Sequence, residues 1–338
     1  MKNQQDLLSI LKELDIPKYR LNQLTEAICQ QGISDYQQIN VLPKDLRTTL
    51  AEKLPILSIK PILTAKSKLH TTEKVLFETA DGLRIESVMM RYQDGRNSIC
   101  VSSQAGCQMG CKFCATGTMK FGRNLTYEEI FDQVLYYSQQ LHKEKLSVSN
   151  VIYMGMGEPF MNYENVIKSA NLLNDSHYLN IGARKITIST SGLVDGIDKL
   201  AEQPLQFNLA VSLHSPNQEL REKLMPVAKK WKLDQLITSI NNYIEKTHRR
   251  VSFEYVMLKD LNDSAEIAEE LADLCQNQLI HINLIPYNNT NIAGISGTAK
   301  QKIYDFQKIL QNNGINATVR TTMGEDISAA CGQLANKN

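Results

Sequence analysis

Cys107-Gln-Met-Gly-Cys111-Lys-Phe-Cys114 places three of the chain's seven cysteines within eight residues, spaced Cys-x3-Cys-x2-Cys. Three thiolates on one tight loop can each bind a different iron of a cubane [4Fe–4S] cluster. The fourth iron then has no nearby cysteine and is open to a substrate. Other readings stand beside this one. A structural zinc site wants a fourth Cys or His nearby, yet the next histidine is His142 and the next cysteine Cys275. An electron-transfer ferredoxin wants a fourth cysteine, commonly in a Cys-x2-Cys-x2-Cys run, and here the first gap is three residues. Three inert core thiols are the last alternative, and the tight spacing weighs against it.

The chain has 338 residues, enough for one large α/β domain and a small appendage. Its 42% hydrophobic and 22% charged residues suit a globular protein with a substantial core. A net charge of +1 means that no global basic field advertises a nucleic-acid partner, although a local patch remains open. Met1 to Asp6 carries no apolar run of the secretory kind. No run approaches the roughly 18 apolar residues of a membrane span. The odd, uneven set of cysteines does not resemble a secreted disulfide framework. A reducing cytoplasm is expected.

Leu7, Leu8, Ile10, Leu11 and Leu14 recur at helical spacing until Asp15-Ile-Pro17 breaks the run. A second helix is expected from Tyr19 to Ile28, closed by Gly32, and a third opens at Pro43. Residues 1–55 thus form a small helical domain. Residues 56–92 read as a linker and β-extension. Lys74–Phe77 and Arg84–Arg91 are expected strands, as is Ile99–Ser102 beyond them. Thr126-Tyr-Glu-Glu129 is a capping box that should start a helix. From there strands and helices alternate about six times. The expected fold is α/β: a partial, TIM-like (βα)6 barrel over residues 93–326, followed by a flexible tail over 327–338.

Sites in such barrels collect at the C-terminal ends of the strands. The cysteine loop follows the first of these strands. Gly155-Met-Gly157-Glu158-Pro159 follows the second, and Ser189-Thr-Ser191-Gly192 the third. Ser212-Leu213-His214 ends the fourth, and Pro286-Tyr-Asn288-Asn289 follows the sixth. Each is weak alone, and a lone histidine such as His214 is more often structural. Their convergence on one rim is the stronger signal.

These motifs resemble the radical S-adenosylmethionine (SAM) enzymes. Longer segments narrow the resemblance: Cys100-Val-Ser-Ser-Gln-Ala-Gly-Cys107, Cys111-Lys-Phe-Cys114-Ala-Thr-Gly117, Ile188-Ser-Thr-Ser-Gly192, Asn283-Leu-Ile-Pro286 and Asp326-Ile-Ser-Ala-Ala-Cys-Gly-Gln-Leu334. Together they look like the RlmN/Cfr family of RNA adenosine methyltransferases, over nearly the whole chain. The resemblance implies a radical SAM barrel with an RNA-binding helical N-terminal domain. It implies two cofactors, a [4Fe–4S] cluster on Cys107, Cys111 and Cys114, and SAM. Gly157, Glu158, Ser189, Ser212, Leu213, His214 and Asn288 match SAM-binding positions. RlmN-type members methylate C2 of adenosine 2503 in 23S rRNA, and many also methylate adenosine 37 in tRNA. Cfr-type members methylate C8 of the same rRNA adenosine and confer antibiotic resistance. Pro159 matches the RlmN branch, whereas Cfr-type sequences carry alanine there.

C2 of adenine is electron-poor and cannot attack a sulfonium methyl, so a radical route is needed. By resemblance, Cys331 carries a methyl group taken from one SAM, a second SAM supplies the radical, and Cys100 resolves the protein–RNA adduct as a disulfide with Cys331. Glu86 matches the family's proton acceptor, with one extra residue between it and Cys100. An electron donor such as flavodoxin would recharge the cluster. A cytoplasmic monomer without membrane contact is expected. Lys229-Lys230-Trp231-Lys232 and Arg249-Arg250 are local basic clusters, read either as RNA contacts or as solvated surface.

Overall fold

Ten strands pair in chain order into one sheet. In the computed structural model, residue 17, residues 19–290 and residues 292–335 are described. The expected helix from Leu7 to Leu14 lies outside them. Strands β1 (Ile59–Lys66), β2 (Thr72–Thr79), β3 (Arg84–Arg91) and β4 (Asn97–Cys100) pair antiparallel in succession. From β4 onward every pairing is parallel: β5 (Asn150–Tyr153), β6 (Ile186–Thr190), β7 (Asn208–Ser212), β8 (Val251–Met257), β9 (Ile280–Pro286) and β10 (Ala317–Val319). Among the described residues the two outer strands, β1 and β10, each have one neighbour, so the sheet does not close.

Helices α1 (Tyr19–Thr25) and α2 (Lys44–Lys53) precede the sheet. The parallel strands are joined by α3 (Tyr127–Lys143), α4 (Tyr163–Asn174), α5 (Val194–Ala201), α6 (Gln218–Leu224), α7 (Leu233–Thr247), α8 (Ala265–Leu274) and α9 (Lys300–Asn312). Six βα units therefore run from β4 to α9, as the alternation predicts, and β10 adds a seventh parallel strand. Its three residues are too short to show periodicity. Strand β1 lies where the sequence suggested a linker. Almost every residue in it is exposed and it contains Pro61, which an edge strand tolerates because no ladder bond is lost.

Burial explains why these segments become strands. Val151, Ile186, Ile188, Val211, Phe253, Tyr255, Ile282 and Leu284 are all buried, as parallel strands covered on both faces require. Helix α3 begins at the expected capping box: Glu129 N donates to Thr126 Oγ1 (3.3 Å) and Thr126 N donates to Glu129 Oε2 (2.9 Å). Arg123 clamps the same carboxylate through Nη1 (2.7 Å) and Nη2 (2.9 Å). Ile130, Val134, Tyr137 and Leu141 recur every three or four residues and are fully buried. Each such side chain contributes roughly 1.5–3 kcal/mol. Across β2 the ring of Phe77 meets Tyr136 edge-on at 5.3 Å.

Helix α1 passes into a π-helical turn over Glu26–Gln30, and Pro43 directly precedes α2. Leu24, Ile28, Leu46 and Leu50 join the main core rather than forming one of their own. Gln139 on α3 donates to Ile33 O at 3.0 Å, which ties the N-terminal helices to the barrel.

Candidate active site

The loop after β4 bends the three cysteines toward a cavity that all of them line. Cys114 N donates to Cys111 O (3.2 Å) and Gly117 N to Cys114 O (3.0 Å). Lys112 N donates to Leu224 O at the end of α6 (2.9 Å), which fixes the loop from below. Burial pushes the Cys107 thiol up to about 11. The Cys111 thiol is raised further, first by burial and then by negative charge on Cys114 and Cys107, so the three sulfurs sense one another. Among the described residues no three His, Cys, Asp or Glu side chains gather closely enough to hold a single metal ion.

The turn after β5 forms the next wall. Gly157 has φ +102°, and a Cβ there would lie 2.6 Å from Gln104 Cβ, so only glycine fits. Glu158 N donates to Gln104 Oε1 at 2.8 Å. The buried Glu158 carboxylate accepts from Phe160 N (3.0 Å) and from Ser191 N (2.7 Å). Burial raises its pKa, and these amides oppose the shift. A carboxylate held this way in a cavity wall suits a cationic group such as an ammonium.

Ser189, Ser212 and His214 complete that wall. Val256 N donates to His214 Nδ1 at 3.0 Å. An amide can only donate, so Nδ1 is the acceptor and the ring proton sits on Nε2. Burial, and then the Arg221 charge, lowers the His214 pKa to about 3, so the ring is neutral. Phe113 of the cysteine loop packs edge-on against it at 4.6 Å. His214 thus satisfies the structural reading and lines the cavity as well. Leu213 is buried and does not line it; its amide donates to Glu254 O (3.1 Å). Ser191 lines the cavity, and its buried hydroxyl has no hydrogen-bond partner.

A second cavity lies beside the first, bounded by Val88 and Met90 of β3, Cys100 of β4, Asn288, Arg320 and Cys331. Cys331 lines both cavities and is itself exposed. Burial pushes its thiol up to about 11, while the Arg320 charge pulls it down. Burial, together with negative charge on Cys331, pushes Cys100 up to about 12. Asn288 borders only the second cavity and donates Nδ2 to Cys331 O at 3.1 Å. Glu86 borders neither; its carboxylate is buried against Lys74.

The tail that carries Cys331, expected to be flexible, is bonded in place. Ala115 N donates to Gly332 O (2.8 Å), Thr116 Oγ1 to Leu334 O (2.5 Å), and Gln333 Nε2 to Asn289 O (3.0 Å). Two of these bonds come from the cysteine loop itself, so the ends of the chain's chemistry meet directly.

Three charged residues at the site were not anticipated. Glu254 on β8 lines the first cavity and accepts from Asn283 Nδ2 (2.8 Å) and Arg320 Nη1 (3.3 Å). Arg320 follows β10 directly, and that strand was missed with it. Arg221 on α6 is fully buried; it donates to Ser191 O (2.7 Å), leaving Nε and Nη1 unpaired. Its sequence signal was an arginine on the inner face of a short helix. The basic clusters line neither cavity: Lys230 stacks over Trp231 at 4.0 Å and Lys232 pairs with Glu222 at 2.6 Å. Among the described residues no helix is long and apolar enough to cross a membrane.

Residues 101–275 match the family model of the Radical SAM superfamily. Barrel, cysteine loop and cavity accordingly define a radical SAM enzyme. The chain is 43% identical to the "Probable dual-specificity RNA methyltransferase RlmN" of Lachnospira eligens, over 99% of this chain and 95% of that protein. It is 43% identical to the protein of the same name from Lysinibacillus sphaericus, over 96% and 85%. The crystal structure of a radical SAM methyltransferase from Sphaerobacter thermophilus is 44% identical, covers 98% of this chain and 97% of its own, and has a TM-score of 0.94. The chain belongs to the RlmN family. That membership brings a [4Fe–4S] cluster and SAM as its cofactors. The donor set fits both. A cubane asks for one thiolate on each of three irons rather than three around one ion, and the cavity adds a buried carboxylate and the orphaned Ser191 hydroxyl for a polar cation.

Proposed function

We propose that this enzyme methylates C2 of adenosine 2503 in 23S rRNA, and adenosine 37 in some tRNAs, through a methyl group carried on Cys331. The observation that carries this reading is the position of Cys331, which lines both the cavity of the three loop cysteines and the cavity of Cys100. The names of the relatives, dual-specificity RNA methyltransferases, support RNA as the substrate.

When bound, the cluster and SAM supply methyl groups and a 5′-deoxyadenosyl radical. Cys107, Cys111 and Cys114 hold the cluster. Glu158 receives the amino group of SAM, with Gly157 giving it room, and Ser189, Ser212 and neutral His214 line the remaining wall. Leu213 contributes through its backbone. Asn288 orients the Cys331 loop by its bond to the Cys331 carbonyl. Cys331 loses its proton and takes a methyl group on its sulfur, since a thiolate is a good nucleophile. After a hydrogen atom is removed from that methyl group, its carbon bonds C2 of the adenine and leaves the base attached to Cys331. The Cys100 thiolate then attacks the Cys331 sulfur: the S–S bond forms, the S–C bond breaks, and the methyl carbon stays on the base. Glu86 is two positions from Val88, the cross-strand partner of Cys100, and so lies on the same face. The resemblance gives it the proton lost from C2; since it borders neither cavity and pairs with Lys74, that proton would reach it through an intervening group. An external donor such as flavodoxin restores the thiols and the cluster. The enzyme acts as a cytoplasmic monomer.

Mass spectrometry of nucleosides from rRNA and tRNA treated with enzyme, SAM and reductant tests the assignment. The expected product is 2-methyladenosine in both RNAs. Recovery of 8-methyladenosine would transfer the enzyme to the Cfr-type reaction.

A further inference from the structure

One buried ion pair holds the Cys331 loop from both sides. On adjacent strands, Leu76 stands opposite Glu86, and Lys74 is two residues from Leu76. Lys74 and Glu86 are therefore diagonal neighbours on one face of the sheet. Lys74 Nζ lies 2.7 Å from Glu86 Oε1, with side chains only 10% and 2% exposed. Lys74 Nζ also donates to Ser328 O at 3.2 Å. Glu86 Oε2 accepts from Ala335 N at 2.9 Å. The cation thus takes hold of the tail three positions before Cys331, and the anion four positions after it.

Desolvating two charges is expensive, and such a pair repays it only when each ion has further partners. Here each has one on the tail. The opposite face of these strands packs on α3, through Phe77 against Tyr136 and through Tyr137 donating to Ser87 O at 2.9 Å. The face that carries Lys74 and Glu86 is left for the tail.

We infer that Lys74 and Glu86 form a clasp that holds residues 328–335 over the two cavities, and that Lys74 is a positioning residue for Cys331. The clasp is separate from any proton transfer by Glu86. Its consequence for methyl transfer rests on the proposed role of Cys331; its existence does not. A loosened loop lets the cavities open to water and moves the sulfur away from both.

The test uses the full chain with its cluster and three variants: Lys74→Met, Glu86→Gln and Ala335→Pro. The last deletes one amide donor and leaves the ion pair intact. One readout is independent of turnover: hydrogen exchange of the 328–335 peptide, by mass spectrometry. It should rise about tenfold or more, as loss of roughly 1.4 kcal/mol of local closure implies, while exchange in the parallel strands is unchanged. Lys74→Arg should restore the slow rates. With SAM and RNA, Lys74→Met should form 5′-deoxyadenosine while losing methyl transfer. Unchanged exchange in Lys74→Met and Ala335→Pro would overturn the clasp. So would a Glu86→Gln variant that slows methylation with the tail still protected, because that pattern leaves Glu86 only a proton-transfer role. If Lys74→Met does not fold, Ala335→Pro decides alone. Faster tail exchange in an enzyme whose Cys331 never carries a methyl group would support the clasp and remove the carrier role instead.

Discussion

Cys100 and Cys331 border one cavity although 231 positions separate them in sequence, and negative charge on Cys331 helps raise the Cys100 thiol. One sits on an inner strand, the other on the tail. Their meeting requires both the sheet and the tail bonds. If they form the proposed resolving pair, Cys100→Ala leaves the methylated base attached to Cys331. Denaturing gels and peptide mass should then show an RNA–protein adduct at Cys331. A variant that turns over normally, with no adduct, would exclude Cys100 from the reaction.

Cys111→Ala removes one of the three cysteines proposed to hold the cluster. Iron content after anaerobic reconstitution should fall well below that of the parent, and SAM cleavage should cease. Continued release of 5′-deoxyadenosine would show that the loop is not the cluster site.

Glu158→Gln keeps the shape of the side chain but removes the charge proposed to receive the SAM amino group. Loss of one charge-assisted bond costs about 1.5–3 kcal/mol, or roughly ten- to a hundredfold in affinity. The amide also turns an NH2 toward Ser191 N or Phe160 N, which are donors themselves. Equilibrium dialysis of labelled SAM measures the first effect and urea denaturation the second. Unaltered SAM affinity would move the amino group elsewhere.

His214 gives stability a defined acid limb. Its folded pKa, near 3, lies below the unfolded value of 6.5. Between those values the unfolded chain binds a proton that the folded chain refuses, so stability falls as pH drops. From pH 7.5 to 5 the loss is about 2 kcal/mol, approaching roughly 1.4 kcal/mol per unit below pH 6. His214→Asn removes this contribution, and urea midpoints at pH 7.5 and pH 5 should show a shallower decline. Equal slopes in parent and variant would mean that the ring is already protonated when folded.

Much of the fold was legible because its signals are local. The capping box at Thr126 and Glu129, the alternation from Val151 onward and the apolar stripe of α3 each stay within one element. Strands β1 and β10 were not legible. The first is an exposed edge with a proline, and the second has only three residues, so neither carries a burial pattern to read. The cavity motifs were visible by spacing and by family resemblance. The charges around them were not. Glu254, Arg320, Arg221 and Lys74 are ordinary residues in sequence, and only strand register and tail placement make them neighbours of the cysteines. The bonds of the tail were hidden for the same reason: partners from Lys74 to Thr116 lie some 220 to 255 positions away.

Bonds at Ser328, Cys331, Gly332, Leu334 and Ala335 hold the tail on both sides of the Cys331 sulfur. A carrier of the swinging-arm kind needs a loose stretch around its reactive atom, and residues 328–335 are tied at five positions. On the proposed reaction the sulfur stays put between two chambers and the acceptor does the travelling. An adenine stacked in folded RNA cannot reach such a recess, so the nucleotide must be turned out of its stack, at a cost of a few kcal/mol. Nucleotides already unstacked are then the favoured targets, and RNA shape joins RNA sequence in choosing the substrate.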